Sequence, residues 1–270
     1  MPRVILVGAA FILLTACLAA VLTVLGLLRL PGRGAVSIAY SRMVCAMLAV
    51  RIHNEGEPPH GRPVLILANH VSWLDILVLT ATAPVIFVAK SEVAAWPLIG
   101  RVARARGTVF VERQRRRQTA AANAEIARFL GEGQSIVLFA EGTSSDGNRV
   151  LPFRSALVGA LKDALQQAGV DAGIAVQPLS IAYTRVQGLP MGRYNRPLVA
   201  WYGERELVPH VNAFIRCGAV DVTLSWGEPV PYDGAHRKQV VATLEQAVRS
   251  MTAAALAGRP APVPICGGTG

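Results

Sequence analysis

Residues 4 to 28, VILVGAAFILLTACLAAVLTVLGLL, contain no charged side chain. Rising about 1.5 Å per residue, a helix of that length crosses a hydrocarbon layer of ~30 Å. The run is longer than the apolar core of a secretion signal and no small-residue cleavage site follows it cleanly, so it predicts a retained membrane anchor. Only Arg3 precedes it, whereas Arg29, Arg33, Arg42 and Arg51 follow. By the positive-inside rule this bias puts the bulk of the chain on the cytoplasmic face of a bacterial-type inner membrane. A second apolar segment, VSIAYSRMVCAMLAV (36 to 50), is interrupted by Arg42 and too short to span, which suits a helix lying in the interface, amphipathic or re-entrant.

Of the 270 residues, 52% are hydrophobic and 16% charged, and the mean hydropathy is +0.40, which fits one globular domain added to an anchor. The expected division is anchor helices over 1–52, the globular domain over 53–257 and a disordered tail over 258–270. Beyond a polar, proline-bearing linker from His53 to Pro63, short apolar runs alternate with helical patterns. That alternation predicts an α/β fold, a mixed sheet flanked by helices, with the N-terminal helical segment embedded in the membrane. Candidate strands are 63–68, 84–89, 107–111, 135–140, 174–183, 198–202 and 220–226. Helical patterns run up to Gly131, to near Gly169 and, from His236, to Gly258.

The formal net charge of +10 suits nucleic acid, an anionic membrane surface or an acidic substrate equally well. Cysteines at 17, 45, 217 and 266 form no CxxC and no histidine stands at zinc-finger spacing, so neither a metal site nor a disulfide framework is expected.

NHVSWLD (69 to 75) lies where a strand pattern gives way to a helical one. Five residues on an ideal helix turn through about 140°, so His70 and Asp75 would diverge if both were helical. Ser72 followed by Asp75 fits a capping box, with Ser72 as N-cap and Asp75 as the third helical residue. His70 then stands on the turn before the helix, free to fold its imidazole back to Asp75. A carboxylate holding one ring N–H fixes the tautomer and leaves the other nitrogen as a base. The competing reading makes Asp75 a helix-terminus charge and His70 a hydrogen-bonded surface residue.

A second strand exit, SIVLFAEGTSSDG (135 to 147), presents Glu141, Gly142, Thr143 and Ser144 where open α/β sheets place their ligands. The backbone of Gly142 permits close approach, and the two hydroxyls are donors. Arginines crowd RVARARGTVFVERQRRR (101 to 117), most of them suited to a solvated or membrane-facing surface. Arg113, two residues beyond a candidate strand, is placed to share a mouth with His70 and Glu141 and to hold a phosphate. His53, His60, His210 and His236 lack a comparable partner and read as surface or linker residues.

With these blocks in order, NHVSWLD, FVER (110 to 113), FAEGTSSDG (139 to 147) and VQPLSIAY (176 to 183), the chain resembles the glycerolipid acyltransferases typified by 1-acylglycerol-3-phosphate acyltransferase. KSEVAAWPLIG (90 to 100) is also similar to family sequences. The resemblance covers residues 62 to 230 and makes 53–257 an acyltransferase domain. It implies transfer of a fatty acyl group from an acyl carrier protein or coenzyme A thioester to a lysolipid hydroxyl at a membrane, with no resident cofactor, metal or nucleic-acid partner. Carried over by position, His70 is the base and Asp75 its orienting partner. Lys90, Arg113, Glu141, Gly142, Thr143 and Ser144 belong to the substrate-binding site.

The acceptor expected first is lysophosphatidate, the commonest assignment in the family, giving phosphatidic acid. Many such members read FPEGTRS, whereas this chain has Ala140 and Ser144, a departure that removes one cation from a phosphate site; Arg149 and Arg154 are the candidate replacements. EGTSSDGNRVLPF and MGRYNRPLVAWYG (191 to 203) also resemble bacterial acyltransferases that complete ornithine lipids, which makes lyso-ornithine lipid the alternative. Two rivals from other classes fare worse. A serine hydrolase would carry a G-x-S-x-G elbow, and none is present. A membrane-tethered nucleic-acid binder would interleave aromatics with its arginines, and only Phe110 lies among them.

Overall fold

A computed structural model describes residues 2–28, 30, 32–61, 63–94, 100, 103–104, 107–111, 124–126, 128–155, 174–232 and 236–262. The uncharged run forms helix α1 (Pro2–Leu27). A turn returns the chain through α2 (Arg33–Met47), and Thr15 Oγ1 on α1 meets Tyr40 Oη on α2 at 2.6 Å. One stripe of α1, with Val7, Thr15, Leu18 and Leu22, is buried, while Ile5, Leu6, Ile12, Leu13 and Leu27 stay exposed. Such a surface, long and apolar enough to cross a membrane, suits contact with lipid.

Helix α2 does not behave as a free interfacial helix. It buries Ser37, Ser41, Val44 and Cys45 and packs along α3 (Leu74–Thr82). Arg42, which seemed to interrupt an apolar segment, donates from Nε to the Ala81 carbonyl at 2.9 Å. It thereby satisfies an end-of-helix acceptor of α3, where a cation also meets the negative pole of the helix.

Nine strands form one mixed sheet among the described residues. They are β1 (Val50–Glu55), β2 (Val64–Ala68), β3 (Val85–Lys90), β4 (Val109–Val111), β5 (Ser135–Phe139), β6 (Ile174–Val186), β7 (Leu189–Pro190), β8 (Val220–Trp226) and β9 (Val230–Tyr232). The main order is β1-β8-β6-β2-β5-β3-β4, and β7 and β9 pair with β6. Strands β6, β2, β5, β3 and β4 run parallel, β1 is parallel to β8, and β8 is antiparallel to β6. On β2, Val64, Ile66 and Ala68 join one core cluster and Leu65 and Leu67 the other, the period of two a strand imposes. Helices α2, α3 and α4 (Leu207–Cys217) pack on the first face, and α5 (Arg237–Leu256) packs on the second through Val241, Leu244, Val248 and Met251. Burial on both faces is why β2 and β5 read as unbroken apolar runs.

Two strand expectations change. Val50–Glu55 is a strand paired with β8, so the sheet reaches across the expected 52/53 division into chain that hydropathy assigned to the anchor and linker. LVAWY (198 to 202) is not a strand: a 3-10 turn over Arg196–Leu198, with Pro197 near its start, leads into irregular chain. Its apolar Val199 and Ala200 are buried, and Trp201 donates its amide to the Val71 carbonyl at 2.9 Å rather than to a ladder. The helical patterns up to Gly131 and to near Gly169 are described only in part, and the tail from 263 lies outside the described residues.

Candidate active site

Parallel β2 and β5 pair in register, Ala68 opposite Phe139, so both chains leave the sheet at the same edge. This is the carboxyl edge at which open α/β sheets bind ligands. His70 stands two residues beyond the end of β2, and its ring stacks on Phe139 with centroids 4.0 Å apart and planes at 16°. Asn69 fixes the turn. Its side chain donates to the Ile181 carbonyl at 2.9 Å and accepts from the Ile181 amide at 2.8 Å, so an amide side chain prolongs the ladder to β6 by one step. From the other side Ser145 donates its amide at 2.8 Å and its hydroxyl at 3.2 Å to the His70 carbonyl.

Asp75 is fully buried and its carboxylate is the hub of the site. Oδ2 accepts from His70 Nδ1 at 2.7 Å, from the Val71 amide at 2.7 Å and from the Ser72 amide at 3.0 Å. Oδ1 accepts from the Tyr183 hydroxyl at 2.8 Å. Among the described residues the His70 Nε2 has no partner, and the side chain is 20% exposed. The expected capping box is half realised. The carboxylate does reach back to the Ser72 amide, but the helix begins after Trp73, and the buried Ser72 hydroxyl has no hydrogen-bond partner among the described residues. The Asp75 amide is met instead by the Ser72 carbonyl at 3.0 Å.

Tyr183 is the participant that sequence reasoning passed over, although it closes the VQPLSIAY block. Strand β6 is far longer than β2, and Ala68 pairs with Leu179, so β6 carries Tyr183 about 13 Å past the end of β2, over the start of α3. Burial, and then the Asp75 carboxylate, push its phenol well above the ordinary range, so it stays a donor. A tyrosine four residues past the point where a partner strand stops was the available signal.

The third block lies beside His70, but its members differ in exposure. Glu141 is 2% exposed, and Oε1 accepts from the Leu151 amide at 3.1 Å while Oε2 has no hydrogen-bond partner among the described residues. Burial outweighs the nearby Leu151 and His70 amides and pushes its carboxyl up to about 8. It faces the protein's own loop rather than solvent. Gly142 adopts φ +73°, the left-handed region that favours glycine, and turns the chain so that Thr143 is exposed and Ser144 half-buried. Arg149 and Arg154 are exposed. Arg113 lies outside the described residues, and Lys90 ends β3. His210 departs from the surface reading. It is buried and accepts a hydrogen bond from Trp73 Nε1 at 3.1 Å, fixing the residue between Ser72 and the helix.

These features define an α/β protein with an imidazole oriented by a buried carboxylate at the carboxyl edge of its sheet. A family model described as Acyltransferase matches residues 49–182. The chain is 50% identical over 224 residues to the lyso-ornithine lipid O-acyltransferase of Brucella abortus (strain 2308), covering 83% of this chain and 84% of that one. It is 38% identical over 126 residues to the 1-acyl-sn-glycerol-3-phosphate acyltransferase of Neisseria meningitidis serogroup B, covering 47% and 46% of the two chains. The crystal structure of the 1-acyl-sn-glycerophosphate (LPA) acyltransferase from Thermotoga maritima superposes with a TM-score of 0.56 at 23% identity, over 92% of this chain and 96% of that one, a likeness of fold. This chain belongs to the acyltransferase family and is an enzyme of that class.

Proposed function

We propose that this enzyme transfers a fatty acyl group from an acyl thioester to the free hydroxyl of lyso-ornithine lipid, with His70 as the base. The geometry behind the chemistry is the 2.7 Å bond from His70 Nδ1 to Asp75, which leaves Nε2 to take a proton. As the acceptor oxygen attacks the thioester carbonyl, its proton passes to Nε2. When the tetrahedral intermediate collapses the C–S bond breaks, and the imidazolium returns the proton to the departing thiolate. Asp75 holds the ring and stabilises the imidazolium without itself taking the proton. No covalent acyl-enzyme is needed.

For the acceptor, lysophosphatidate, the first expectation from the sequence, gives way to the alternative. The lyso-ornithine relative is matched along most of its length, whereas the glycerophosphate relative is matched over less than half. Ser144, where a phosphate-reading arginine was expected, points the same way. The thioester carrier is acyl carrier protein or coenzyme A. The apolar α1 anchors the enzyme, and the arginines that follow it favour a cytoplasm-facing catalytic domain on the inner membrane.

Radiolabelled acyl transfer by the purified full chain, offered both donors and both acceptors in detergent, tests this. Higher kcat/KM on lyso-ornithine lipid is expected; a preference for lysophosphatidate overturns the acceptor. His70→Ala is expected to lose about 10²- to 10⁴-fold in turnover while remaining folded and membrane-bound. Near-normal turnover would overturn the role of His70.

A further inference from the structure

We propose that Asp146, Asn148 and Arg196 form a cradle for the zwitterionic headgroup of the acceptor, Arg196 receiving its carboxylate and Asp146 its ammonium. The inference rests on the acceptor proposed above and assigns the residues that would select it. An ornithine headgroup joined through its α-nitrogen retains one carboxylate and one terminal ammonium, so its site must offer a cation and an anion a short distance apart. Lysophosphatidate carries only negative charge.

The three side chains have that form. Asn148 donates from Nδ2 to Asp146 Oδ2 at 3.0 Å and from its amide to Asp146 Oδ1 at 3.0 Å. Its Oδ1 accepts from Arg196 Nη1. The asparagine therefore stands between the two charges, and Asp146 and Arg196 make no direct ion pair with each other. Each retains hydrogen-bonding capacity for a ligand. Arg196 Nε is buried and has no hydrogen-bond partner among the described residues, an orphaned donor that a bound carboxylate would satisfy in a forked geometry. Burial would raise the Asp146 carboxyl, but its bonds from Asn148 and the fields of Arg149 and Arg193 hold it below its ordinary range, so it is an anion at neutral pH.

The cradle is tied to the base on both sides. Ser145, beside Asp146, donates to the His70 carbonyl at 2.8 Å. Behind Arg196 the chain bonds to the next residue, Trp201 donating to Val71 at 2.9 Å. Gly147, at φ +72°, allows the contact: a Cβ there would lie 3.0 Å from Val71 Cγ1 and 3.8 Å from Arg196 Cδ. Arg196 comes from a segment distant in sequence, and it supplies the cation that Ser144 does not.

The test measures kcat/KM of the full-length enzyme on lyso-ornithine lipid, on its carboxyl methyl ester and on its terminal-N-acetyl derivative, with lysophosphatidate alongside. Wild type is expected to lose roughly 10- to 100-fold on each modified acceptor, the range for one charge-assisted contact. Arg196→Gln should lose a similar factor on the native acceptor but little more on the methyl ester, and Asp146→Asn should lose little more on the N-acetyl compound. Wild-type indifference to both modifications overturns the cradle whatever the variants do, as does an equal fractional loss by each variant on all acceptors. A wild-type preference for lysophosphatidate instead overturns the acceptor reading. A preference for lyso-ornithine lipid with headgroup selectivity unchanged in the variants overturns the cradle alone.

Discussion

A single buried carboxylate accepts hydrogen bonds from His70, Val71, Ser72 and Tyr183, which is what a charge removed from water requires. Removing one donor leaves part of that charge unpaired. Tyr183→Phe should therefore loosen Asp75 and, through it, the imidazole. An acceptor left unsatisfied costs about 1–3 kcal/mol, so kcat is expected to fall about tenfold with KM little changed. A loss in KM alone would place Tyr183 in acceptor binding instead. Glu141 yields a prediction about pH. Its carboxyl, pushed up to about 8, binds a proton in the folded state that the unfolded chain releases near its ordinary value of 4.5. The folded state then holds more protons, so stability falls as pH rises between those values. Glu141→Gln, which keeps the neutral shape, should flatten that decline and gain a few kcal/mol over wild type above pH 8. Melting curves of both proteins from pH 5 to 9 check this; parallel curves would show that Glu141 is ionised in the folded protein.

Among the elements, α1 and α2 read alike in hydropathy but serve different ends. Helix α1 exposes most of its apolar side chains, whereas α2 buries its own face along α3, and Arg42 closes the end of that helix. Deleting residues 1–30 should release the enzyme from membranes at high salt yet leave a folded protein that acylates acceptor in detergent. Deleting 1–48 removes the buried Val44, Cys45 and Leu48, and several lost core side chains at about 2–5 kcal/mol each exceed the stability of an ordinary domain. Sedimentation with membranes and cooperative unfolding separate the two truncations. Equal behaviour of both would mean α2 is not part of the folding unit.

Over the whole molecule, charge and apolar surface work together. The exposed large hydrophobics among the described residues fall mostly before residue 44, and the chain carries a formal net charge of +10. An anionic bilayer is thus met both by burial of apolar surface and by long-range attraction, of which only the second is screened by salt. The 31–270 fragment should still bind vesicles containing anionic lipid at low ionic strength and be lost from them toward 1 M salt, where the screening length is ~3 Å. The full chain should remain bound. Salt-resistant binding of the fragment would reveal a second apolar anchor.

The apolar run, the alternation of strands and helices and the pairing of His70 with Asp75 were all legible in the sequence, because each depends on composition or on a spacing of a few residues. The anchor and the dyad are local facts. The sequence left Tyr183, Asn148 and Arg196 without partners, since what they touch is decided by how far β6 outruns β2 and by how two distant segments close around His70 and Val71. LVAWY could not be distinguished from a strand by its apolarity, nor β1 from a linker by its polar residues. Contacts with neighbours distant in the chain, which no local period encodes, settled both: the ladder to β8 for Val50–Glu55 and the burial of Val199 and Ala200 for LVAWY. The same holds for Glu141, whose charge state depends on how completely its loop folds over it and excludes water.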